Sequence, residues 1–267
     1  GNTGGTAEIN SLRPSWDKAF FIAVLSRAND MTELLYLKDA YLREFSAVVE
    51  DVVEGNGVVL NKTAFYPGGG GQPADVGVMV AGDETWNVTK TKRVDGRPVH
   101  FLDREPPAVG TAVSGHLDWQ RRYQLMRTHT AMHILCGVIW RDYGASVTGG
   151  NMEPLKGRMD FEFERMQQEL VASIEEAINK EVEAAHPVRV NILPREEAFL
   201  IPDLIRTKIN LLPEGIAEVR TVELVGLDLQ ADGGTHVRNT SEVGRMRITD
   251  YKSKGKINKR IYVELED

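Results

Sequence analysis

From Phe45 to His116 the chain is cut into short β-rich runs, whereas from Asp118 to Tyr143 it continues without Pro or a turn signal. That change of texture constrains the fold more than any other feature. Before it, FSAVVEDVV, GVVL, DVGVMV, ETWNVTKTKRV, RPVHFL and TAVSGHL are separated by GNG, PGGGGQP, AGD and VDG. Branched and aromatic runs divided by Gly, Pro and Asp turns predict a small β-barrel or sandwich. Residues Leu34 to Arg43 read equally as a short strand or a helix. After the change, Asp118 is an N-cap candidate and Gly144 a C-terminal stop. Between them the larger apolar residues fall at 119, 123, 126, 135, 138 and 139, at helical intervals.

A second helix is predicted from about Arg165 to Ala185, with Leu170, Ile174, Ile178 and Val182 on one stripe and a stop at His186-Pro187. Strands follow at 188–193, 217–225, 245–251 and 258–265. The expected class is therefore α+β, with a small β-barrel domain at residues 31–117. Residues 118–267 would form an α+β domain with helices packed on an antiparallel sheet. A chain of 267 residues is long enough for two such cores. Residues 1–30 lack an initiating Met, and Met31 reads as a native start, so a leader or appended segment is expected there.

Thirty-nine acidic against 32 basic residues leave a net charge of −7. That excludes capture of nucleic acid by overall charge, so any RNA contact needs a local basic patch. The lone cysteine, Cys136, excludes an intrachain disulfide and fits a reducing compartment. No apolar run approaches the roughly 18–20 residues that span a bilayer. AFFIAVL at 19–25 lacks the flanks of a signal peptide. A cytoplasmic location is expected.

In RTHTAMH, His129 and His133 lie at i and i+4 of the first helix, roughly 6 Å apart along its axis. Two imidazoles at that spacing can share a metal, although the pair alone is a weak signal, since two histidines four apart often occur by chance. Cys136 shares their face but lies about 10 Å along the axis from His129, too far for one ion; it reads as a small buried thiol. Better partners stand in LDLQADGGTHVRNT, where the glycines let Asp232 and His236 face one point. Asp232 could instead simply close a DGG hairpin turn.

The four glycines at 68–71, followed by Gln72 and Pro73, need a tight bend or a close backbone approach if they are more than a flexible loop. A phosphate cradle is not expected, because no GK[ST] follows. Two basic clusters could meet phosphates: Lys252, Lys254, Lys256, Lys259 and Arg260 in KSKGKINKR, and Arg121, Arg122 and Arg127 around the histidines. A solvated hairpin accounts for the first cluster equally well. Arg158 and Asp160 read as a structural ion pair at least as readily as catalytic groups.

Five segments in order, FYPGGGGQPADVG, RTHTAMH, LKGRMDFEF, QADGGTHVRNT and SKGKINKRIYVEL, carry a family likeness from about Met31 to the C-terminus. The chain resembles the freestanding alanyl-tRNA editing proteins, the AlaX family, related to the editing domains of alanyl- and threonyl-tRNA synthetases. The resemblance implies a zinc ion (Zn2+) bound by His129, His133 and His236, with Asp232 where the family usually has cysteine. Asp232 is then either the fourth ligand or a neighbour of three histidines and an open position. The implied reaction is ester hydrolysis that removes serine, and secondarily glycine, from the acceptor end of tRNA(Ala). A synthetase pocket shaped for a methyl group rejects one added hydroxyl poorly. Zinc would either activate water or hold the substrate, and no general base stands out. The resemblance also places Gly69, Gly70, Gly71 and Gln72 near the pocket as aids to serine discrimination, with Thr148 a weaker candidate. The competing expectations are an editing hydrolase for another mischarged tRNA and a non-catalytic tRNA-binding module with a structural zinc.

Overall fold

The structure, a computed structural model, describes residues 32–204 and 216–267. The leader expected at residues 1–30 lies outside the described residues. Six strands close into an antiparallel barrel: β2 (Glu44–Val53), β3 (Gly57–Leu60), β5 (Gly77–Ala81), β6 (Glu84–Val94), β7 (Arg97–Leu102) and β8 (Ala112–Leu117), in the order β2-β3-β7-β6-β5-β8. Residue alternation explains its interior. Phe45, Ala47 and Val49 of β2 turn inward with Val58, Leu60, Met79, Trp86, Val88 and Val113, while the residues between them stay on the outer face. The β6–β7 turn uses Asp95-Gly96, both at positive φ, the two-residue hairpin that matches strand twist. His100 is wholly buried in the barrel and satisfied as a neutral ring by Thr63 Oγ1 at 2.7 Å and the Val58 carbonyl at 3.2 Å. Burial pushes its pKa down to about 4.

The segment left open as strand or helix is both in miniature. β1 (Glu33–Leu34) pairs in parallel with β4 (Lys62–Thr63) and runs into one 3-10 turn, Leu35–Leu37.

Helix α1 (Trp119–Tyr143) starts where its sequence signals place it, with the Asp118 side chain accepting from the Arg121 N–H, and ends on left-handed Gly144. From Leu125 to Ile139 every residue of α1 is buried. The reason is that α1 contacts two sheets rather than one, together with helix α2 (Gln168–Glu183). One sheet has the order β14-β15-β10-β9, built from β9 (Val147–Glu153), β10 (Lys156–Glu162), β14 (Met246–Ser253) and β15 (Asn258–Leu265). The other has the order β11-β12-β13, from β11 (Val188–Pro194), β12 (Glu218–Leu224) and β13 (Asp228–Ala231), with the one-turn α3 (Arg195–Ala198) beside it. Helix α2 buries Ile174, Ile178 and Val182 of the anticipated stripe, with Val171 in place of Leu170, which is only partly buried. Among the described residues no helix is long and apolar enough to cross a membrane.

Candidate metal centre

Four residues from two segments meet beneath the barrel. His129 and His133 come from one face of α1; Asp232 and His236 come from the loop that follows β13. One ligand atom from each lies within 4.8 Å of every other, and all four residues are at most 3% exposed. Asp232 sits among the three rings: its carboxylate oxygens are 3.7 Å from His129 Nε2, 4.0 Å from His133 Nε2 and 2.6 Å from His236 Nε2. Two donors on one zinc, each ~2.1 Å from it, are at most about 4.2 Å apart. The set therefore closes on one ion with small side-chain movements.

The outer nitrogens explain why the inner ones face each other. His129 Nδ1 is 2.9 Å from Gln72 Oε1, and His133 Nδ1 is 2.9 Å from Asp228 Oδ2. An amide oxygen and a carboxylate only accept, so both Nδ1 atoms carry a proton and both Nε2 atoms are left facing Asp232. His236 Nδ1 is 3.1 Å from Thr130 Oγ1, which also accepts from the Val237 N–H. A hydroxyl can donate or accept, so His236 can keep Nε2–H against Asp232 or present its lone pair. This is the pattern of ligating histidines, each held by a partner on its far nitrogen.

Charge favours a cation at the centre. Burial drives the His129 pKa well below the usual value and the His236 pKa to about 4, so both rings are neutral near pH 7. Burial opposes ionisation of Asp232, but the neighbouring rings and the hydrogen bond from His236 outweigh it and hold its pKa below the usual carboxylate value. Neutral imidazoles and one carboxylate are the protonation states that zinc requires, and the N/O donor set fits it. Arg220, 1% exposed, supports the loop from behind by donating to the Asp232 carbonyl at 2.8 Å and to the Leu37 carbonyl at 3.2 Å.

The glycine-rich loop reaches this centre from the barrel. Its base is closed by Tyr66 and Asp75: the Tyr66 N–H donates to Asp75 Oδ2 at 2.6 Å, and the Asp75 N–H to the Tyr66 carbonyl at 2.9 Å. Gly68 to Gly71 all have positive φ, a run that only glycine adopts without strain. At the tip, the Gln72 amide donates to Thr235 Oγ1 at 2.7 Å and accepts from the Thr235 N–H at 3.0 Å. Gln72, expected to touch substrate, is 2% exposed and clamps His129 and the Asp232–His236 loop together. A Cβ on Gly234 would come within 2.4 Å of His129 Nδ1, so glycine is required there.

Four side chains expected to meet phosphates are engaged within the protein. Arg122 is 0% exposed and gives its donors to both Asp75 oxygens and to the Ala40 and Ala64 carbonyls. Arg127 is buried and donates to the Val243 and Glu266 carbonyls. Lys259 is buried on the Gly255 and Lys256 carbonyls, and Arg260 is paired through two bonds with Asp160. These four cations hold the fold. Arg121 is half-buried, donating to the Ala74 carbonyl, while Lys254 and Lys256 are exposed on the β14–β15 hairpin. Arg158 lies 3.9 Å from Asp160, the ion-pair reading of GRMDFEF.

Thr148 Oγ1 donates to Asn258 Oδ1, and the N–H of Met152, four residues further along β9, meets the Gly71 carbonyl. That separates Thr148 from the glycine-rich loop by about 13 Å of strand. Cys136, 1% exposed, accepts from Gln230 Nε2 at 3.3 Å and is not one of the four convergent groups. Gln230 also donates to Asp228 at 2.8 Å, steadying the anchor of His133. Asp228, Thr130, Thr235 and Arg220 were not foreseen as parts of the site. QADGGTH alone gives no sign that its own Thr235, or Thr130, Arg220 and Asp228 before it, would be recruited.

Comparison with known proteins places these elements in a family. Residues 19–121 match the class II (A) tRNA synthetases, and residues 219–262 match the second additional domain of threonyl and alanyl tRNA synthetases. The chain is 43% identical over 237 residues to an alanyl-tRNA editing protein AlaX-M of Saccharolobus solfataricus, covering 87% of this chain and 98% of that one. It is 39% identical over 248 residues to an AlaX-M of Methanosarcina acetivorans, covering 89% and 100%. It is also 40% identical over 223 residues to the alanine–tRNA ligase of Ignicoccus hospitalis, but those residues make up only 24% of that enzyme.

Proposed function

The chain belongs to the AlaX-M alanyl-tRNA editing proteins, and on that premise we propose that it is a trans-acting hydrolase of mischarged tRNA(Ala). It cleaves the ester of seryl-tRNA(Ala), and secondarily of glycyl-tRNA(Ala), at a zinc centre. The observation that carries this reading is the convergence of three histidine nitrogens and one carboxylate from two distant segments. His129, His133, His236 and Asp232 would hold the ion. When bound, zinc would supply Lewis acidity beside the ester. The chain's own groups do the rest: Gln72, Asp228 and Thr130 fix the ring orientations, and the enclosing barrel and sheets keep bulk water out. Exposed Lys254 and Lys256, with Arg121, are the basic side chains proposed to meet acceptor-stem phosphates.

The test pairs metal analysis with deacylation. Purified protein should carry about one zinc, release serine and glycine from tRNA(Ala), and leave alanyl-tRNA(Ala) intact. Chelation should stop release and added zinc restore it. Protein that is folded and metal-loaded yet releases neither amino acid would overturn the reading. A His133→Ala variant that unfolds rather than merely losing hydrolysis would point to a structural zinc instead.

A further inference from the structure

With Arg122, Arg127, Lys259 and Arg260 engaged in the fold, a chain of net charge −7 needs cations elsewhere to hold an RNA. The β6–β7 hairpin supplies them. Strand β5 accompanies β6 from Glu84 to Val88; beyond Val88, among the described residues, β6 pairs with β7 alone. Residues 89–102 thus form an arm at the barrel rim, joined at its base by β3, which pairs with His100 and Phe101. The arm holds four cations, Lys90, Lys92, Arg93 and Arg97, against one acid, Asp95. A register shift after Val88 sorts its two faces: Val88 and Thr91 are buried, while Lys90 and Lys92 are turned outward and exposed. Thr91 Oγ1 donates to the Asp75 carbonyl at 3.3 Å, at the base of the glycine-rich loop. Arg93, held on the Tyr36 hydroxyl and the Gly96 carbonyl, lines a cavity of about 190 Å³ with glycines 68–70 and Gly233, the residue after Asp232. One face of the arm therefore borders the cavity beside the candidate metal centre, and the other meets solvent one strand thickness away.

The outer face suits a chain of anions. Lys90 and Lys92 stand about 7 Å apart along the strand, the scale of one nucleotide step of an RNA backbone. Arg97 is neutralised by Asp51 at 2.9 Å. Neither Lys90 nor Lys92 comes within ion-pair distance of a carboxylate among the described residues. Phe101 lies opposite Lys90 in the cross-strand register, and the Lys92 ammonium is 5.5 Å from the centre of its ring. Such a cation–π contact at an exposed site is worth about 0.5–1 kcal/mol, so it steadies the ammonium without saturating its charge. Two like charges one step apart favour successive phosphates over a lone anion. The cavity behind the arm identifies the strand: it is the one whose esterified end reaches the candidate metal centre.

We propose that the outer face of the β6–β7 arm, through Lys90 and Lys92, binds phosphates of the tRNA acceptor strand. The inference rests on the deacylase reading and adds a docking surface to it. Fluorescence anisotropy with uncharged tRNA(Ala) tests the surface apart from the chemistry. The double variant Lys90→Gln, Lys92→Gln should bind on the order of tenfold more weakly at low salt. Its slope of log affinity against log salt should fall by about 1.4–1.8, or 0.7–0.9 for each phosphate contact removed. KM for seryl-tRNA(Ala) should rise in step while kcat holds. Cleavage of adenosine esterified with serine, which carries no phosphate, should be unchanged. The arginine pair Lys90→Arg, Lys92→Arg should bind like wild type. So should Arg165→Gln, Arg189→Gln, a charge-matched control at exposed positions on other elements. Unchanged affinity and slope in the glutamine pair would overturn the assignment. So would an equal loss in the control, or an equal rise in KM for the adenosine ester. Wild type that binds tRNA(Ala) through these lysines yet cleaves neither ester would remove the deacylase reading and leave the surface standing.

Discussion

Gln72 shows how one side chain joins two parts of the molecule. It contributes no ligand, yet its amide oxygen fixes the proton on His129 Nδ1, and its amide nitrogen holds Thr235 in the loop that carries Asp232 and His236. Gln72→Ala is therefore expected to keep all four ligands and weaken zinc binding ~10–100-fold, the usual consequence of removing a ligand's supporting partner. Competition against a chromophoric chelator measures this directly; affinity within a factor of two of wild type would show that packing alone orients His129. The four candidate ligands were legible in the sequence because spacing and residue type mark them: two histidines one turn apart, and an Asp and a His around two glycines. Their supports were not. Gln72 precedes His129 by 57 residues, and Asp228 follows His133 by 95, so only the folded chain reveals those pairs.

At the scale of elements, helix α1 was the most readable piece, because Asp118 and Gly144 are local signals that act whatever surrounds them. Strands β9 and β10 were not read from the sequence. Gly149-Gly150 interrupts the alternation in the first, and the second buries Met159, Asp160 and Phe161 in succession, so neither shows a period of two. The exact placement of α1 against β13 rests on Gly137. A Cβ there would stand 2.9 Å from Leu227 Cγ and 3.1 Å from Asp228 Cβ. In a free helix, alanine would be favoured over glycine by about 1 kcal/mol. In this one the clash should prevail, because overpacking a tight contact costs about 1–3 kcal/mol. Gly137→Ala is predicted to lower stability in urea unfolding and to loosen zinc as well, since displacing Asp228 frees the ring of His133. A stabilised variant with unchanged zinc affinity would show that the β12–β13 turn yields without consequence.

The whole molecule depends on a buried ion pair that the sequence presented as an RNA contact. Arg122 and His129 are seven residues apart on α1, two helical turns on one face. Asp75 and Gln72 are three residues apart in the glycine-rich segment. The Arg122–Asp75 pair and the His129–Gln72 hydrogen bond are thus two parallel rungs between barrel and helix. The first rung is almost wholly buried, with Arg122 at 0% and Asp75 at 1% exposure. Breaking such a pair by removing one charge costs about 3–5 kcal/mol, because the other stays desolvated. Asp75→Asn should lose stability on that scale and should also release the base of the glycine-rich loop, which Asp75 closes on the Tyr66 N–H. Arg122→Lys should cost nearly as much although it preserves the charge, since one ammonium cannot serve two carboxylate oxygens and the carbonyls of Ala40 and Ala64 together. Urea unfolding of both variants decides between geometry and charge. A lysine variant within about 1 kcal/mol of wild type, against the loss set for the broken pair, would mean that a point charge suffices to dock the barrel on the helix.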